Sequence, residues 1–179
     1  TGVTGICGSG IIEVVAEMYL AGILSTDGVV DGALAERTQR IQAEGRTFSY
    51  VLHASSDPEV SDVLVTQNDV RQIQLAKAAL YAGIKLLMDE MGVATVDRIR
   101  LAGAFGSHIS VSHAMVLGLI PDCDLEQVTS AGNAAGAGAR MALLDRNARL
   151  EIAATIAKAE RIETAVADDF QAHFVGAMG

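Results

Sequence analysis

RIRLAGAFG (98–106) and QVTSAGNAAGAGARMALL (127–144) are the two stretches of sequence that decide the fold. In the first, Arg98 to Ala102 alternates like a β-strand and leads directly into a glycine turn. In the second, a strand at Gln127 to Ser130 leads into Gly132 and then into a helix rich in alanine and glycine. This order of strand, glycine turn and helix occurs twice, and it predicts an α/β fold in which helices link neighbouring strands.

Hydrophobic spacing predicts the elements around these two units. The expected helices cover residues 11–21, 33–43, 66–91, 111–117, 148–159 and 168–177, and the expected strands cover 47–53, 63–65 and 161–164. Gly22 and Gly92 are placed to end the first and the longest helix, and Thr66-x-x-Asp69 resembles a capping box at the start of the longest. The apolar residues of that helix repeat every three or four positions, at Ile73, Ala76, Leu80, Ile84, Leu87 and Met91.

Composition narrows the class of protein. The 179 residues include 13 Lys and Arg against 22 Asp and Glu, and the net charge of −9 disfavours binding to nucleic acid. The two cysteines are too few for a disulfide scaffold or a four-cysteine metal site. No apolar run reaches the roughly 20 residues of a membrane span, and no signal peptide is recognisable, so we expect a cytoplasmic protein with no membrane partner. Because the chain begins at Thr1 within a glycine-rich turn, we expect a fragment.

Three glycine-rich clusters are candidates for binding. Gly5 to Gly10 precedes a helix, where backbone N–H groups can hold an anion, but a tight turn for close packing explains it equally well. Gly103 to Gly106 lies at the carboxyl end of a strand, where α/β sheets bind ligands. Its glycines either let a flat ring approach the backbone or serve a loop that needs positive φ. Small residues from Gly132 to Gly138 leave a flat helix face, suited to close packing or to a sliding hinge.

Side chains outside these clusters carry little predicted chemistry. Cys7 and Cys123 are expected to be buried, inert thiols. The four histidines are not expected to form a metal site, the middle two having the wrong spacing for a helical pair and the outer two being isolated: His53, His108, His113 and His173. No Ser-His-Asp arrangement, catalytic residue or metal ligand is predicted. The polar side of the long helix carries Arg71, Gln74 and Lys77. These side chains are expected either to be solvated or to contact a nucleotide from the wall opposite Gly103.

Five segments together resemble the carboxyl-terminal region of the reductive activators of corrinoid proteins. They are TGICGSGII (4–12), VTQNDVRQIQLAKAAL (65–80), RIRLAGAFG (98–106), GNAAGAGARMALL (132–144) and DFQAHFVGAM (169–178). The resemblance implies a ribonuclease-H-like lobe of the superfamily of acetate and sugar kinases, heat-shock chaperones and actin (ASKHA). That lobe has a mixed sheet flanked by helices, and it forms a single domain over residues 1–179 with an α+β insertion at 25–65.

The same resemblance implies a nucleotide site shared with a second lobe. Gly103, Ala104, Phe105 and Gly106 would form the adenosine motif, Gly132 and Asn133 would lie at the interlobe hinge, and Gly8, Ser9 and Gly10 would start a helix near the cleft. ATP with Mg²⁺ is the implied cofactor, but the D-x-G-T phosphate hairpin of the superfamily is absent from this chain. The lobe that supplies it, and an amino-terminal [2Fe–2S] domain, are expected upstream of Thr1.

The implied activity belongs to the whole protein: ATP-driven electron transfer that reduces cob(II)alamin to cob(I)alamin in a corrinoid protein or methyltransferase partner. We therefore expect the fragment alone to be inactive. Two alternatives stay open, namely a lobe of a small-molecule kinase of the same superfamily and a non-catalytic dimerisation or docking module. A homodimer formed through the alanine-rich helix at 133–144 is a further expectation.

Overall fold

The computed structural model describes residues 2–103 and 105–178, leaving aside the side chains of Phe105 and Ala165. Within these residues the strands are β1 (Ile41–Glu44), β2 (Thr47–His53), β3 (Val63–Val65), β4 (Ile99–Ala102) and β5 (Val128–Gly132). The helices are α1 (Gly8–Leu20), α2 (Gln67–Glu90), α3 (Val111–Val116), α4 (Ala134–Leu144), α5 (Arg146–Ile156) and α6 (Phe170–Gly176). Short 3-10 turns lie at Gly32–Glu36, Phe105–Ser107, Leu125–Gln127 and Thr164–Val166.

Strands β4 and β5 pair in parallel, as the two strand–turn–helix units predict. Ile99 is opposite Val128, and the helices that the prediction placed beyond each strand are present as α3 and α4. One buried cluster joins β5 to α1 and α3, since Val128 packs with Ile12 of α1 and Ala114 of α3. This packing fixes where the two glycine turns lie relative to α1 and α3.

Strands β1, β2 and β3 form a separate antiparallel sheet, in that order. Here the helix predicted at 33–43 is wrong: only a 3-10 turn at Gly32–Glu36 forms, and Ile41 begins β1. Ile41 is 4% exposed and belongs to the core, and pairing with β2 satisfies the backbone of a segment whose other residues are solvent-exposed. Gly45, with φ +62°, makes the tight turn that returns the chain into β2.

Helix α2 begins at the predicted capping box, in which Thr66 and Asp69 satisfy each other's backbone N–H groups. Gly92, with φ +65°, follows its carboxyl end as expected. The buried side of α2 is not the predicted apolar repeat, however. The buried residues of α2 are Val70, Gln74, Ala78, Ala82, Leu86 and Met88.

Part of the predicted repeat instead lies on an exposed side of α2, where Leu80 and Leu87 are 49% and 53% exposed. The segment around Ile162 and Thr164 lies beside these leucines and helps line a cavity with them. The strand predicted at 161–164 is therefore wrong, because this segment packs on a helix and ends in a 3-10 turn. None of the described helices is both long enough and apolar enough to cross a membrane.

Candidate functional site

The turns that follow β4 and β5 meet at one edge of the parallel pair. Gly103 has φ +99° and Gly132 has φ +63°, both in the left-handed region that favours glycine. The Gly103 amide donates a hydrogen bond to the Gly132 carbonyl at 2.8 Å. Since parallel strands end at the same edge, this bond joins two loops at the position where α/β sheets bind ligands.

Two serine hydroxyls brace this pair of turns. Ser107 donates to the Gly103 carbonyl at 2.9 Å, and the Ser130 hydroxyl lies 3.3 Å from that of Ser107. The Gly132 amide donates to the Ser130 hydroxyl at 3.1 Å. The turns are thus held in one conformation by side chains that sequence spacing did not single out. A serine within a few residues of a turn glycine is the sequence signal that could have found them.

The two glycines of the first turn have different physical roles. A Cβ built on Gly103 would meet nothing within 4 Å, so the space beside it is open to a ligand. A Cβ on Gly106 would lie 3.2 Å from both the carbonyl carbon and the Cβ of Leu101, so a side chain there would press tightly on β4. Ala104 lies outside the described residues, and of Phe105 only the backbone is described.

Asn133 caps the amino terminus of α4, its side-chain oxygen accepting from the Gly136 amide at 2.9 Å. A Cβ on Gly136 would overlap the Asn133 side chain, so this glycine serves the cap. The described helix α4 has no buried residue and packs mainly on α5. The small-residue face is therefore explained in part by capping, and its predicted role as a hinge stays a prediction.

Gly8, Ser9 and Gly10 form the first turn of α1, so they start a helix as the resemblance implies, whereas the start at residue 11 predicted from hydrophobic spacing is wrong. Cys7 is the N-cap, because its sulfur accepts from the Gly10 amide at 3.3 Å. No hydrogen bond of the described residues links this turn to Gly103 or Gly132. The structure brings together the second and third glycine clusters, and the first is placed by a different element.

Comparison with known proteins identifies the family. The family model for the C-terminal domain of RACo, the ASKHA domain, matches residues 1–179. The chain belongs to this family. A corrinoid activation enzyme of Eubacterium limosum, RamQ, is 35% identical over 79% of the chain. A solved structure of a reductive activator for corrinoid, iron-sulfur protein is 31% identical and superposes on 97% of the chain with a TM-score of 0.86.

These relatives are much longer than the RACo-type domain described above. The chain spans 25% of RamQ and 28% of the solved activator, or about a quarter of each. The match confirms the predicted α/β class with an actin-like, ribonuclease-H-like lobe. It also confirms the resemblance that the five sequence segments carried.

The cysteines of the RACo-type domain differ from their predicted state. Cys7 is exposed, and hydrogen bonds from Ser9 and the Gly10 amide lower the pKa of its thiol. A Cβ on Gly10 would lie 3.1 Å from the Cys7 sulfur, so a side chain at this position would crowd the thiol. Cys123 is only partly buried, and its thiol donates to the Asp97 carbonyl at 3.3 Å.

The polar residues of α2 were predicted either to be solvated or to contact a ligand opposite Gly103. Gln74 does neither in the structure. Gln74 is 8% exposed, and its side-chain nitrogen donates to the carbonyls of Asp27 and Met178 at 3.0 and 3.2 Å. Lys77 is partly buried, and desolvation lowers the pKa of its amine. Arg71 is exposed, with a guanidinium nitrogen 3.8 Å from the Met178 sulfur. Gln74 is thus a structural clamp, and no sequence signal separates it from a surface glutamine.

Two histidines tie helices together. His113 lies 2.8 Å from the Ser110 hydroxyl through Nδ1 and 2.8 Å from a Glu17 carboxylate oxygen through Nε2, which links α3 to α1. His173 lies 2.8 Å from an Asp89 carboxylate oxygen and links α6 to α2. His173 is therefore not isolated, contrary to prediction. In the described part of the chain, no three potential metal-ligating side chains come together.

Proposed function

We propose that this RACo-type domain is the carboxyl-terminal, ATP-binding lobe of a protein that reductively activates corrinoid proteins. The relatives named above are described as a corrinoid activation enzyme and a reductive activator for a corrinoid, iron-sulfur protein. The observation that carries the proposal is the pair of glycine turns joined between Gly103 and Gly132, which leaves open space at the carboxyl edge of the parallel strands.

In this proposal the turn from Gly103 to Gly106 contacts the adenosine of ATP, with Ala104 and Phe105 between the two glycines. Gly132 and Asn133 position the second turn beside it. The open space at the Cβ position of Gly103 fits a planar base lying against the backbone. Gly8, Ser9 and Gly10 are assigned to the wall of the same cleft. The phosphates and Mg²⁺ are assigned mainly to a second lobe, because no D-x-G-T hairpin occurs in this chain.

The residues of the domain do not fit an iron–sulfur cluster. Four cysteine thiolates are the usual ligands, whereas this chain has only Cys7 and Cys123, each in its own hydrogen bond. The electron that reduces cob(II)alamin to cob(I)alamin is therefore assigned to another part of the parent protein. The domain contributes ATP binding and a surface for the corrinoid protein, and no catalytic residue. Two free thiols are compatible with a cytoplasmic location.

We further propose that residues 1–179 are one lobe in which 25–65 is an inserted subdomain. The antiparallel sheet β1–β2–β3 is separate from the parallel pair, which supports an insertion. Its strands nevertheless share a buried cluster with α1 and α2, through residues such as Ile41, Val65 and Val70. The insertion is therefore packed onto the lobe.

The nucleotide assignment is tested in the intact parent protein by calorimetric titration with Mg-ATP. Gly103→Ala places a Cβ in the open space at the turn, and we expect ATP affinity to fall at least about tenfold, or roughly 1.4 kcal/mol. Gly92→Ala is the matched control, because its φ of +65° carries similar backbone strain and its Cβ also meets nothing within 4 Å. Equal ATP affinity of the two variants would contradict the assignment.

A homodimer formed through α4 and α5 is the second part of the proposal. Their outer apolar side chains are highly exposed, Leu143 at 78%, Leu144 at 83% and Ile156 at 66%. Contiguous exposed apolar patches of this kind mark interaction surfaces. We expect the 179-residue chain to associate in sedimentation runs, and Leu143→Glu with Leu144→Glu to abolish association. A monomer of the unmodified chain at high concentration contradicts the dimer.

A further inference from the structure

We propose that a cavity between α1, α2, the end of α3 and the turn at 24–28, open to solvent on one side, binds a compact, mostly apolar molecule that carries one carboxylate. The cavity has a volume of about 230 Å³. Its walls are mainly apolar, and they include Val15, Leu24, Val70, Ile73 and Leu117. None of its lining residues belongs to the glycine turns at 103–107 or 130–136, so this site is distinct from the candidate nucleotide site.

The size of the cavity selects a ligand of about two fused rings. A dry apolar cavity of about 150 Å³ is enough to admit benzene, and this one is larger by roughly half. Burial of such a ligand is favoured by its apolar area, at about 25 cal/mol per Å². Val116, at 39% exposure, and Tyr19, at 38%, lie on the same walls and give access from solvent.

The polar groups of the cavity select a negative charge. Lys77 is one of its walls, and the desolvation that lowers the pKa of this amine is relieved when an anion lies beside the ammonium. Lys77 also lines a second cavity, of about 270 Å³, together with Tyr81 and Asp122. Its side chain therefore lies between the two cavities. It already has an interaction within the chain, to which a ligand carboxylate adds.

Two further groups orient the ligand. Thr26 is an exposed wall residue whose hydroxyl has no hydrogen bond among the described residues, so it can exchange solvent for a ligand carboxylate. The side-chain nitrogen of Gln74 donates hydrogen bonds to the carbonyls of Asp27 and Met178. Gln74 thereby holds in place the turn at 24–28, which forms one wall of the cavity. One cation, one hydroxyl without a partner among the described residues, and a mainly apolar cavity together define a site for an apolar carboxylate.

The test uses the intact protein and two probes of nearly equal shape, 1-naphthoate and its neutral analogue 1-naphthamide, titrated by calorimetry. We expect naphthoate to bind at least about tenfold more tightly, which corresponds to roughly 1.4 kcal/mol. Lys77→Met keeps the side-chain length and should abolish this preference. Lys85→Met, on the same helix but outside the cavity, should retain it. Val116→Phe narrows the cavity and should weaken both probes, with circular dichroism confirming that each variant folds.

Equal affinity for the two probes, no binding by the folded unmodified protein, or an unchanged preference in Lys77→Met would each overturn the proposal. A competition titration with Mg-ATP tests whether the two sites are distinct. Saturating ATP should leave naphthoate affinity unchanged, and displacement of naphthoate by ATP would overturn the assignment of a distinct site. Failure of ATP to bind at all would count against the nucleotide proposal and leave the naphthoate result intact, so the two proposals fail separately.

Discussion

Gly103 and Gly132 are joined by a hydrogen bond of 2.8 Å from the amide of the first to the carbonyl of the second. Both residues have positive φ, so each strand of the parallel pair ends in a turn that an L-residue would adopt only under strain. The bond extends the pairing of β4 with β5 by one step beyond the end of β4, since Gly132 is the last residue of β5. It thereby converts two separate loops into one rim with a defined shape.

This bond predicts slow hydrogen exchange at Gly103. Its amide is held at the edge of a paired strand, whereas the Gly5 amide has no hydrogen bond among the described residues. We expect exchange at Gly103 to be at least about tenfold slower than at Gly5, since protected amides exchange only on local opening. Exchange measured by NMR on the labelled chain tests this. Similar exchange rates at the two glycines, after correction for intrinsic rates, would show that the Gly103 amide is not hydrogen-bonded in the native state.

Gly28 predicts an unusually costly substitution to alanine. Its φ is +73°, and a Cβ there would overlap the side-chain amide of Gln74, which is buried and committed to two carbonyls. Gly45→Ala is the control, with φ +62° and nothing within 4 Å of its Cβ. We expect Gly45→Ala to lower the free energy of unfolding by about 1 kcal/mol from backbone strain alone. Gly28→Ala should cost roughly 2–4 kcal/mol, because overpacking is added. Urea denaturation measures both, and equal costs would mean that Gln74 moves aside freely.

The capping box at the start of α2 predicts a measurable loss of stability. The Thr66 hydroxyl accepts from the Asp69 amide at 3.1 Å, and a carboxylate oxygen of Asp69 accepts from the Thr66 amide at 2.9 Å. Thr66→Ala should lower the free energy of unfolding by about 1–2 kcal/mol. Thr66→Ser keeps the hydroxyl and should recover most of that loss. If serine and alanine prove equally destabilising in thermal or urea unfolding, the methyl group and not the cap stabilises the helix.

Cys7 predicts a pH-dependent reactivity. The Ser9 hydroxyl is the largest cause of its lowered thiol pKa, followed by the Gly10 amide, and both stabilise the thiolate. The alkylation rate of Cys7 with iodoacetamide should therefore reach half its maximum at a pH below that of an ordinary thiol. Ser9→Ala should shift this midpoint upward, and Ser9→Thr should leave it in place. Mass spectrometry of the Cys7 peptide gives the rate, and a midpoint that is unmoved in Ser9→Ala would contradict the role of the hydroxyl.

The local sequence was sufficient to predict a feature wherever the residues that form it lie next to one another in the chain. The Thr66–Asp69 box, the Gly22 and Gly92 helix ends and the strand at 47–53 were all predicted from residues within one or two turns of each other, and the structure confirms each. Such features depend on backbone conformation and neighbouring hydrogen bonds, which the local sequence specifies.

The predictions failed where contact with another element decided the outcome. Residues 41–44 form a strand because β2 pairs with them, although their own spacing favoured a helix. His173 was expected to be isolated, yet it meets Asp89 because α6 packs along α2. These outcomes depend on pairing and packing between separate elements, and the composition and spacing of one element do not encode its contacts with another.

The sequence by itself determined the family, the two strand–turn–helix units and the glycine positions of the candidate site, because motifs and turn chemistry are local. Only the tertiary structure decided that Gly103 bonds to Gly132, that Gln74 is a buried clamp and that Lys77 lies on the wall of an apolar cavity. The physical reason is that burial changes what a polar side chain does. The same glutamine or lysine is solvated on a surface, but once it is enclosed it must find a partner within the protein.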